Sequence, residues 1–246
     1  MKKILCALFL TMLPVLGFAQ DEGPALQAAH VDVSNTASVQ RGAKYFVNYC
    51  MSCHSAQYVR YNRVGEDLGL TDTQVQSYLM PAGGKISDTM VTAMPDDAEK
   101  WFGHQPPDLS LEVRNRGADW VYTYLKSFYL DDNSKITGVN NIVFPHVAMP
   151  DVLWSMQGTQ KAVFKTIKDA DGATLQEFDH FEQVTPGRMT PAQYDKMVHD
   201  LTNFLSYISE PTQLEARSLG LKVIGFLIVF FLFAYMLKRE IWKKVH

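Results

Sequence analysis

The pentapeptide Cys50-Met51-Ser52-Cys53-His54 constrains this chain more than any other part of its sequence. Its spacing, C-x-x-C-H, is typical of c-type haem attachment. Each thiol can add across one haem vinyl group, and the imidazole of the next residue then lies beneath the iron. The motif therefore predicts one covalently attached haem c, with Cys50, Cys53 and His54 as cofactor-binding residues and His54 as an iron ligand.

Three other interpretations of this spacing are open. A thioredoxin-like redox pair expects a strand before the first cysteine within a βαβ pattern, whereas a helical pattern precedes Cys50 here. Half of a zinc site needs a second pair of ligands, and the only other cysteine in the sequence is Cys6. A chance occurrence is disfavoured by the evidence for export, because haem is attached to such proteins outside the cytoplasm.

Evidence for export comes from the first nineteen residues. Lys2 and Lys3 precede an apolar stretch, and a small-x-small triplet ends at Ala19. This arrangement is typical of a cleaved secretory signal, so residues 1–19 are predicted to be a signal peptide. An N-terminal anchor helix is the alternative.

A second hydrophobic segment, residues 218–238, is predicted to be a transmembrane helix. Its apolar stretch, residues 219–237, spans roughly 28 Å at about 1.5 Å per residue, which matches the hydrocarbon layer of a bilayer. Its charge near the start, Lys222, can reach the headgroups along its flexible side chain. The basic tail, residues 239–246, indicates a cytoplasmic end, which places the domain at 20–217 on the outer side. A buried core helix is the weaker alternative.

The charge of the predicted outer domain limits its partners. Residues 20–216 contain 15 Lys and Arg against 25 Asp and Glu, a net charge of −10. Such a domain argues against a nucleic-acid partner, which needs a basic face. It suits a cationic protein partner attracted over long range, although an acidic surface that only aids solubility explains the charge equally well.

Helical patterns joined by long, proline-punctuated loops predict a mainly α fold. The clearest helix follows Thr190, a plausible N-cap, with Pro191 at the first helical position. Residues 130–182 are rich in turn-forming residues and are predicted to be loop. The predicted helices cover residues 36–49, 72–80, 96–101, 111–129 and 190–209.

The second axial ligand of the iron is open from these patterns alone. A methionine opposite histidine raises the reduction potential. Met94 and Met149 both precede proline in loop-like segments, and Met149 is better separated from the haem cysteines. His146 and an open coordination site are the alternatives. The methionines available are Met80, Met90, Met94, Met149, Met156, Met189 and Met197.

Several motifs, in this order, resemble the cytochrome c1 family, the haem subunit of the quinol–cytochrome c oxidoreductase or cytochrome bc1 complex. The haem motif is generic to c-type cytochromes, whereas Pro-Pro-Asp-Leu-Ser and the junction from Ser-Glu-Pro to Gly-Leu-Lys are more specific. The matching segments are residues 50–54, 84–88, 106–110 followed by Arg114, 144–145 with 149–150, 209–211 and 220–222.

The resemblance implies roles for three further residues. Met149 matches the family's axial methionine, Arg114 matches an arginine near the haem propionates, and Pro107 belongs to a loop that lines the haem. Without the resemblance, Pro106-Pro107-Asp108 predicts only a rigid turn. The chain departs from the family in a shorter stretch between His54 and Lys85 and in lacking a second cysteine pair.

The resemblance also implies a fold and a function. The fold is a class I cytochrome c-like haem domain with long loops and one C-terminal transmembrane helix. The chain would take electrons from the Rieske iron–sulfur subunit beside cytochrome b and pass them to a soluble cytochrome c, without being an enzyme on its own. It would lie in a bacterial inner membrane with its haem domain in the periplasm. The alternatives are a free-standing anchored cytochrome c or oxidase subunit, and an open-site haem sensor or peroxidase.

Overall fold

The computed structural model describes residues 24–95, 97–168 and 174–243, so the predicted signal peptide lies outside the described residues. Helices dominate the described part of the chain, as predicted, and the longest is C-terminal and apolar. In chain order they are α1 (Thr36–Tyr45), α2 (Tyr61–Leu68), α3 (Asp72–Leu79), α4 (Ala98–Phe102), α5 (Glu112–Arg116), α6 (Ala118–Lys126), α7 (Trp154–Gln157), α8 (Pro191–Ser209) and α9 (Gln213–Trp242).

Within the described ranges, three antiparallel pairs of strands lie between these helices. They are β1 (Ala56–Arg60) with β2 (Thr89–Met90), β3 (Phe128–Leu130) with β4 (Val139–Asn141), and β5 (Gly158–Lys168) with β6 (Thr174–Pro186).

Cys50, the first cysteine of the C-x-x-C-H motif, lies at the end of a continuous helical segment, as predicted. Asn35 caps α1 by accepting a hydrogen bond from the Ser38 amide at 3.2 Å. The helix then widens into a π-helical turn over Phe46–Cys50, and such turns are frequent at functional sites. Cys50 is therefore held by the rigid first helix of the domain.

The first and last helices of the domain, α1 and α8, cross at a glycine. A Cβ atom at Gly42 would lie 2.0 Å from the backbone oxygen of Asp200 and 2.7 Å from the Cβ of Phe204. Beside the crossing, the rings of Phe46 and Phe204 have centroids 5.4 Å apart. The absence of a side chain at Gly42 therefore allows the two helices to approach closely.

A buried polar network fixes the register of this crossing. The Asp200 side chain is 3% exposed and accepts from Arg41 Nε at 2.6 Å and from Ser38 Oγ at 2.6 Å. Asn203 Nδ2 donates to the same Ser38 Oγ at 2.7 Å. Because a buried carboxylate is costly unless it is paired and hydrogen-bonded, these partners favour one alignment of the helices.

The predicted helix over 190–209 is confirmed, including its start. Thr190 and Gln193 form a reciprocal capping box, and Pro191 occupies the first turn. Its apolar side chains, among them Val198, Leu201 and Phe204, are buried in the core. After Ser209 the chain turns and enters α9.

Two predictions about local structure are wrong. Residues 111–129 do not form one helix, because Gly117 adopts φ 92° and ψ 151° between α5 and α6, and the end of the segment forms β3. The turn-rich segment 130–182 contains most of the long β5–β6 ribbon, which continues to Pro186 and whose register shifts twice. Those irregularities interrupt the strict alternation by which a strand is recognised in sequence.

The C-terminal helix α9 contains the predicted anchor. Ser218–Trp242 has 25 residues, a mean hydropathy of 2.3 and no buried residue in its most apolar window. By length and composition it can cross a membrane. The predicted transmembrane segment, residues 218–238, lies within it.

Candidate haem site

The haem motif forms a tight turn after the π-helical segment. The amides of Cys53 and His54 donate to the Cys50 carbonyl at 3.0 and 2.9 Å. Both cysteines are free thiols, with Cys50 buried and Cys53 partly exposed. Burial raises the pKa of Cys50 to about 12, so the thiol is neutral in this environment. The turn thus presents two thiols and one imidazole from a single short segment.

His54 is oriented by a backbone carbonyl from a distant loop. Its Nδ1 lies 2.8 Å from the Pro107 carbonyl oxygen, and the residue is 8% exposed. Donation from Nδ1 to a carbonyl leaves the Nε2 lone pair available for a metal. Burial lowers the pKa of His54, which favours the neutral imidazole that coordination requires.

The loop that contains Pro107 is tied to the strand after the haem motif. Leu109 N donates to the Ser55 carbonyl at 2.8 Å, and Gln57 N donates to Asp108 Oδ2 at 2.8 Å. The hydroxyl of buried Ser110 accepts from Tyr58 N at 3.2 Å. Pro107 itself is exposed, so its contact with the site is through its carbonyl oxygen.

Met149 lies in the loop between β4 and α7 and is partly buried. Its Sδ accepts a hydrogen bond from the Tyr124 hydroxyl at 3.3 Å. The competing residue, His146, is exposed and adopts φ 62°, with its amide donating to Asn140 Oδ1 at 2.8 Å. The two candidates therefore differ in burial and in surroundings.

Most of the other candidate methionines are part of the hydrophobic core. Met94 and Met189 are partly exposed, and Met189 packs against the core. The buried ones are Met80, Met90, Met156 and Met197.

Two arginines of α5 have different environments. Arg114 is exposed and has no ion pair with another residue in the described ranges. Arg116 pairs with Glu112 at 3.3 Å, and its guanidinium lies 4.7 Å from the ring centre of Trp120 and 5.6 Å from that of Phe144. Arg114 is therefore available to bind an anion, whereas the guanidinium of Arg116 already contacts a carboxylate and two aromatic rings.

An aromatic row that begins on α6 and ends at the start of β3 was not found by sequence reasoning. Trp120 and Tyr124 stack with centroids 5.0 Å apart and an interplanar angle of 10°, and Phe128 meets Tyr124 edge-on at 5.0 Å. Burial raises the pKa of Tyr124, so its hydroxyl keeps its proton and can donate. The spacing of four residues is the only signal in the sequence that could have revealed this row.

The donor set fits a covalently bound haem c. Two thiols and an imidazole with a free Nε2 come from one turn, and a thioether lies in a separate loop. The zinc alternative is disfavoured, because no group of three or more His, Cys, Asp and Glu side chains suited to a metal exists in the described part of the chain. The thioredoxin-like alternative is disfavoured because a helix, not a strand, precedes Cys50.

Comparison with known proteins gives a consistent family. The model of the cytochrome C1 family matches residues 28–245. The chain is 47% identical to the cytochrome c1 of Allochromatium vinosum, with all of both chains covered. It is 39% identical to a Nitrosomonas europaea protein named ammonia monooxygenase gamma subunit, covering 100% of this chain and 98% of that one. Identity to the mitochondrial cytochrome c1 heme protein of Saccharomyces cerevisiae is 26%, over 85% of this chain and 67% of the relative.

Proposed function

The chain belongs to the cytochrome c1 family, and from this premise we propose that Cys50, Cys53, His54 and Met149 hold its haem. As a member of the family it is the haem-carrying electron-transfer subunit of the cytochrome bc1 complex, with one covalently bound haem c and an apolar C-terminal helix that anchors it to the membrane. A free-standing cytochrome or an open-site haem sensor is not favoured by a match of this extent.

The observation that carries the site proposal is the contact between His54 Nδ1 and the Pro107 carbonyl at 2.8 Å. It fixes the ring with Nε2 directed away from the carbonyl, as an iron ligand requires. When bound, haem c supplies a one-electron Fe(III)/Fe(II) couple. The chain's own residues would hold it through Cys50 and Cys53, with the His54 imidazole oriented by the Pro107 carbonyl and the Met149 thioether as a second ligand.

The choice of Met149 over His146 is supported by their surroundings. Met149 is partly buried and already hydrogen-bonded through its sulfur, whereas His146 is exposed. Arg114 is proposed to meet a haem propionate, since a guanidinium fork suits a carboxylate. Pro107 is proposed to act through its carbonyl oxygen on His54.

Membership of the family does not by itself name the individual electron donor and acceptor or the side of the membrane, and these are proposed here. We propose that the chain receives electrons from the Rieske iron–sulfur subunit beside cytochrome b and delivers them to a soluble cytochrome c. No acid, base or nucleophile is needed for this task, so the subunit is proposed not to be catalytic on its own. The segments 1–19, 20–217, 218–238 and 239–246 are proposed as signal peptide, periplasmic domain, inner-membrane anchor and cytoplasmic tail.

Purification from membranes tests this function. A tag on the chain, mild detergent and quinol as reductant are expected to yield b-type and c-type haem spectra together with an iron–sulfur subunit. Reduction of the c-type haem should be blocked by quinol-site inhibitors. The control is a Cys50→Ala, Cys53→Ala double variant, in which covalent haem staining should be lost. A c-type haem that purifies alone and is not reduced by quinol would contradict the proposed partners.

Exchange of each arginine on α5 tests the propionate role. Arg114→Gln removes a positive charge from beside the proposed propionate, which should lower the midpoint potential by roughly 40 mV, equivalent to about 1 kcal/mol for a charge pair in a partly aqueous setting. Potentiometric titration of the purified complex measures the change.

Arg116→Gln is the matched control. It removes the pair with Glu112 and the contacts with Trp120 and Phe144. It should therefore lower the thermal stability and leave the midpoint potential nearly unchanged. If Arg116→Gln shifted the potential more than Arg114→Gln, the role of Arg114 would be wrong.

A further inference from the structure

The hydrogen bond between Tyr124 and Met149 joins two distant parts of the chain at the proposed haem ligand. The Tyr124 hydroxyl, on α6, donates to Met149 Sδ at 3.3 Å. A thioether sulfur is only a weak acceptor, so a free hydroxyl would prefer water. The contact therefore needs a tyrosine ring that is held in place and partly shielded from solvent.

The fold holds the ring of Tyr124 on both sides. Trp120, one helical turn earlier, stacks on it at 5.0 Å, and Phe128, four residues later, meets it edge-on at 5.0 Å. The Tyr124 carbonyl accepts from Asn141 Nδ2 at 2.8 Å, which links α6 to β4. The ring, and with it the hydroxyl oxygen, is thereby held in position.

The loop of Met149 is also fastened on both sides of the sulfur. Val147 and Leu153 are buried, at 6% and 2% exposure. Leu153 N donates to Asp151 Oδ1 at 3.0 Å, and this bond turns the chain immediately after Met149-Pro150. A short tether on either side leaves the thioether little freedom apart from its own rotamers.

We infer that Tyr124 is a positioning residue for the haem iron, which orients the Met149 thioether and tunes the reduction potential through it. The inference rests on the proposed function, because it requires Met149 to be the axial ligand. A thioether sulfur has two lone pairs, so Met149 could offer one to the iron while the other accepts the hydrogen bond from the Tyr124 hydroxyl. The hydrogen bond makes the sulfur a weaker donor, which favours the Fe(II) state, and hydrogen bonds to ligands are a recognised means of setting potential.

Tyr124→Phe tests the inference, because it removes the hydroxyl and keeps the ring between Trp120 and Phe128. In the purified complex, the ratio of reduced to oxidised c-type haem at a fixed ambient potential is expected to fall about threefold, a shift of about 28 mV at 59 mV per tenfold change. The second readout is the weak red absorption band of methionine-ligated ferric haem, which should shift or lose intensity.

Tyr122→Phe is the matched control, since it removes a hydroxyl from the same helix that contacts Lys126 and not Met149. A Tyr124→Phe variant with the potential and red band of Tyr122→Phe would overturn the inference. Failure of the proposed haem site and failure of the role of Tyr124 give different results. If the red band of the unmodified protein is absent, Met149 is not the ligand and the proposed site fails. If Met149→Leu abolishes the band and Tyr124→Phe changes nothing, only the role of Tyr124 fails.

Discussion

Met149→Leu is expected to lower the midpoint potential of the c-type haem by a large part of the range of about 0.8 V that axial ligands span. Leucine has a similar volume, and a swap of this kind usually costs less than about 1.5 kcal/mol of stability. The fold and the covalent attachment at Cys50 and Cys53 should therefore survive. Potentiometric titration and the loss of the red absorption band measure the effect.

Met94→Leu provides the control for this experiment. Met94 also precedes a proline, is also partly exposed, and lies in another loop. It should retain the potential and the band of the unmodified protein, and it should not bind CO. If Met94→Leu lost the band while Met149→Leu kept it, the assignment of the axial ligand would be reversed. If both kept it, another methionine would be the ligand, and the assignment of Met149 would be wrong.

The residues proposed to attach the haem can be recognised from sequence because they lie within one short segment. Two thiols and an imidazole within five residues need no knowledge of the fold, and the π-helical turn only presents them. The tautomer of His54 could not be predicted in the same way, since it depends on the carbonyl of Pro107, fifty-three residues later. A backbone carbonyl leaves no signature in the residue type that carries it.

The contact between Tyr124 and Met149 was also beyond sequence reasoning. The two residues are twenty-five positions apart, on a helix and in a loop, and only the packing of Trp120 and Phe128 brings the hydroxyl to the sulfur. Arg114 was singled out only through the family resemblance, and nothing in the sequence indicated the contacts that its neighbour Arg116 makes. Sequence spacing places both on α5, but contacts with Trp120 and Phe144 exist only in the folded chain.

Secondary structure was predicted where capping residues and apolar spacing agreed. It was missed where pairing with another part of the chain decides the structure. Thr190 and Pro191 marked the start of α8, and the structure has the capping box there. The β5–β6 ribbon escaped prediction because its strands are largely exposed and lack a continuous apolar face. Its strand character comes from pairing between partners, such as Phe164 with Phe178, that sequence periodicity does not register.

Gly42→Ala is expected to destabilise the domain by about 3 kcal/mol or more, the upper end of what overpacking a core costs. The new methyl group would lie 2.0 Å from the Asp200 carbonyl oxygen and 2.7 Å from the Phe204 Cβ. Neither is the free end of a flexible side chain, so α1 and α8 must move apart. Separation would also stretch the bonds from Arg41 and Ser38 to Asp200 and leave a buried carboxylate poorly paired.

Thermal unfolding of the purified protein, followed through the c-type haem spectrum, measures this effect, and for a domain of this size a loss of about 3 kcal/mol lowers Tm by roughly 6–12 °C. Two glycines serve as controls. A Cβ at Gly225 meets nothing within 4 Å, and one at Gly65 comes within 2.8 Å of only a side-chain methyl of Val75. Gly225→Ala should leave Tm unchanged, and Gly65→Ala should lower it less than Gly42→Ala. Equal Tm values for Gly42→Ala and Gly225→Ala would mean that the two helices do not cross as closely as this, and the rigid support inferred for Cys50 would fail with it.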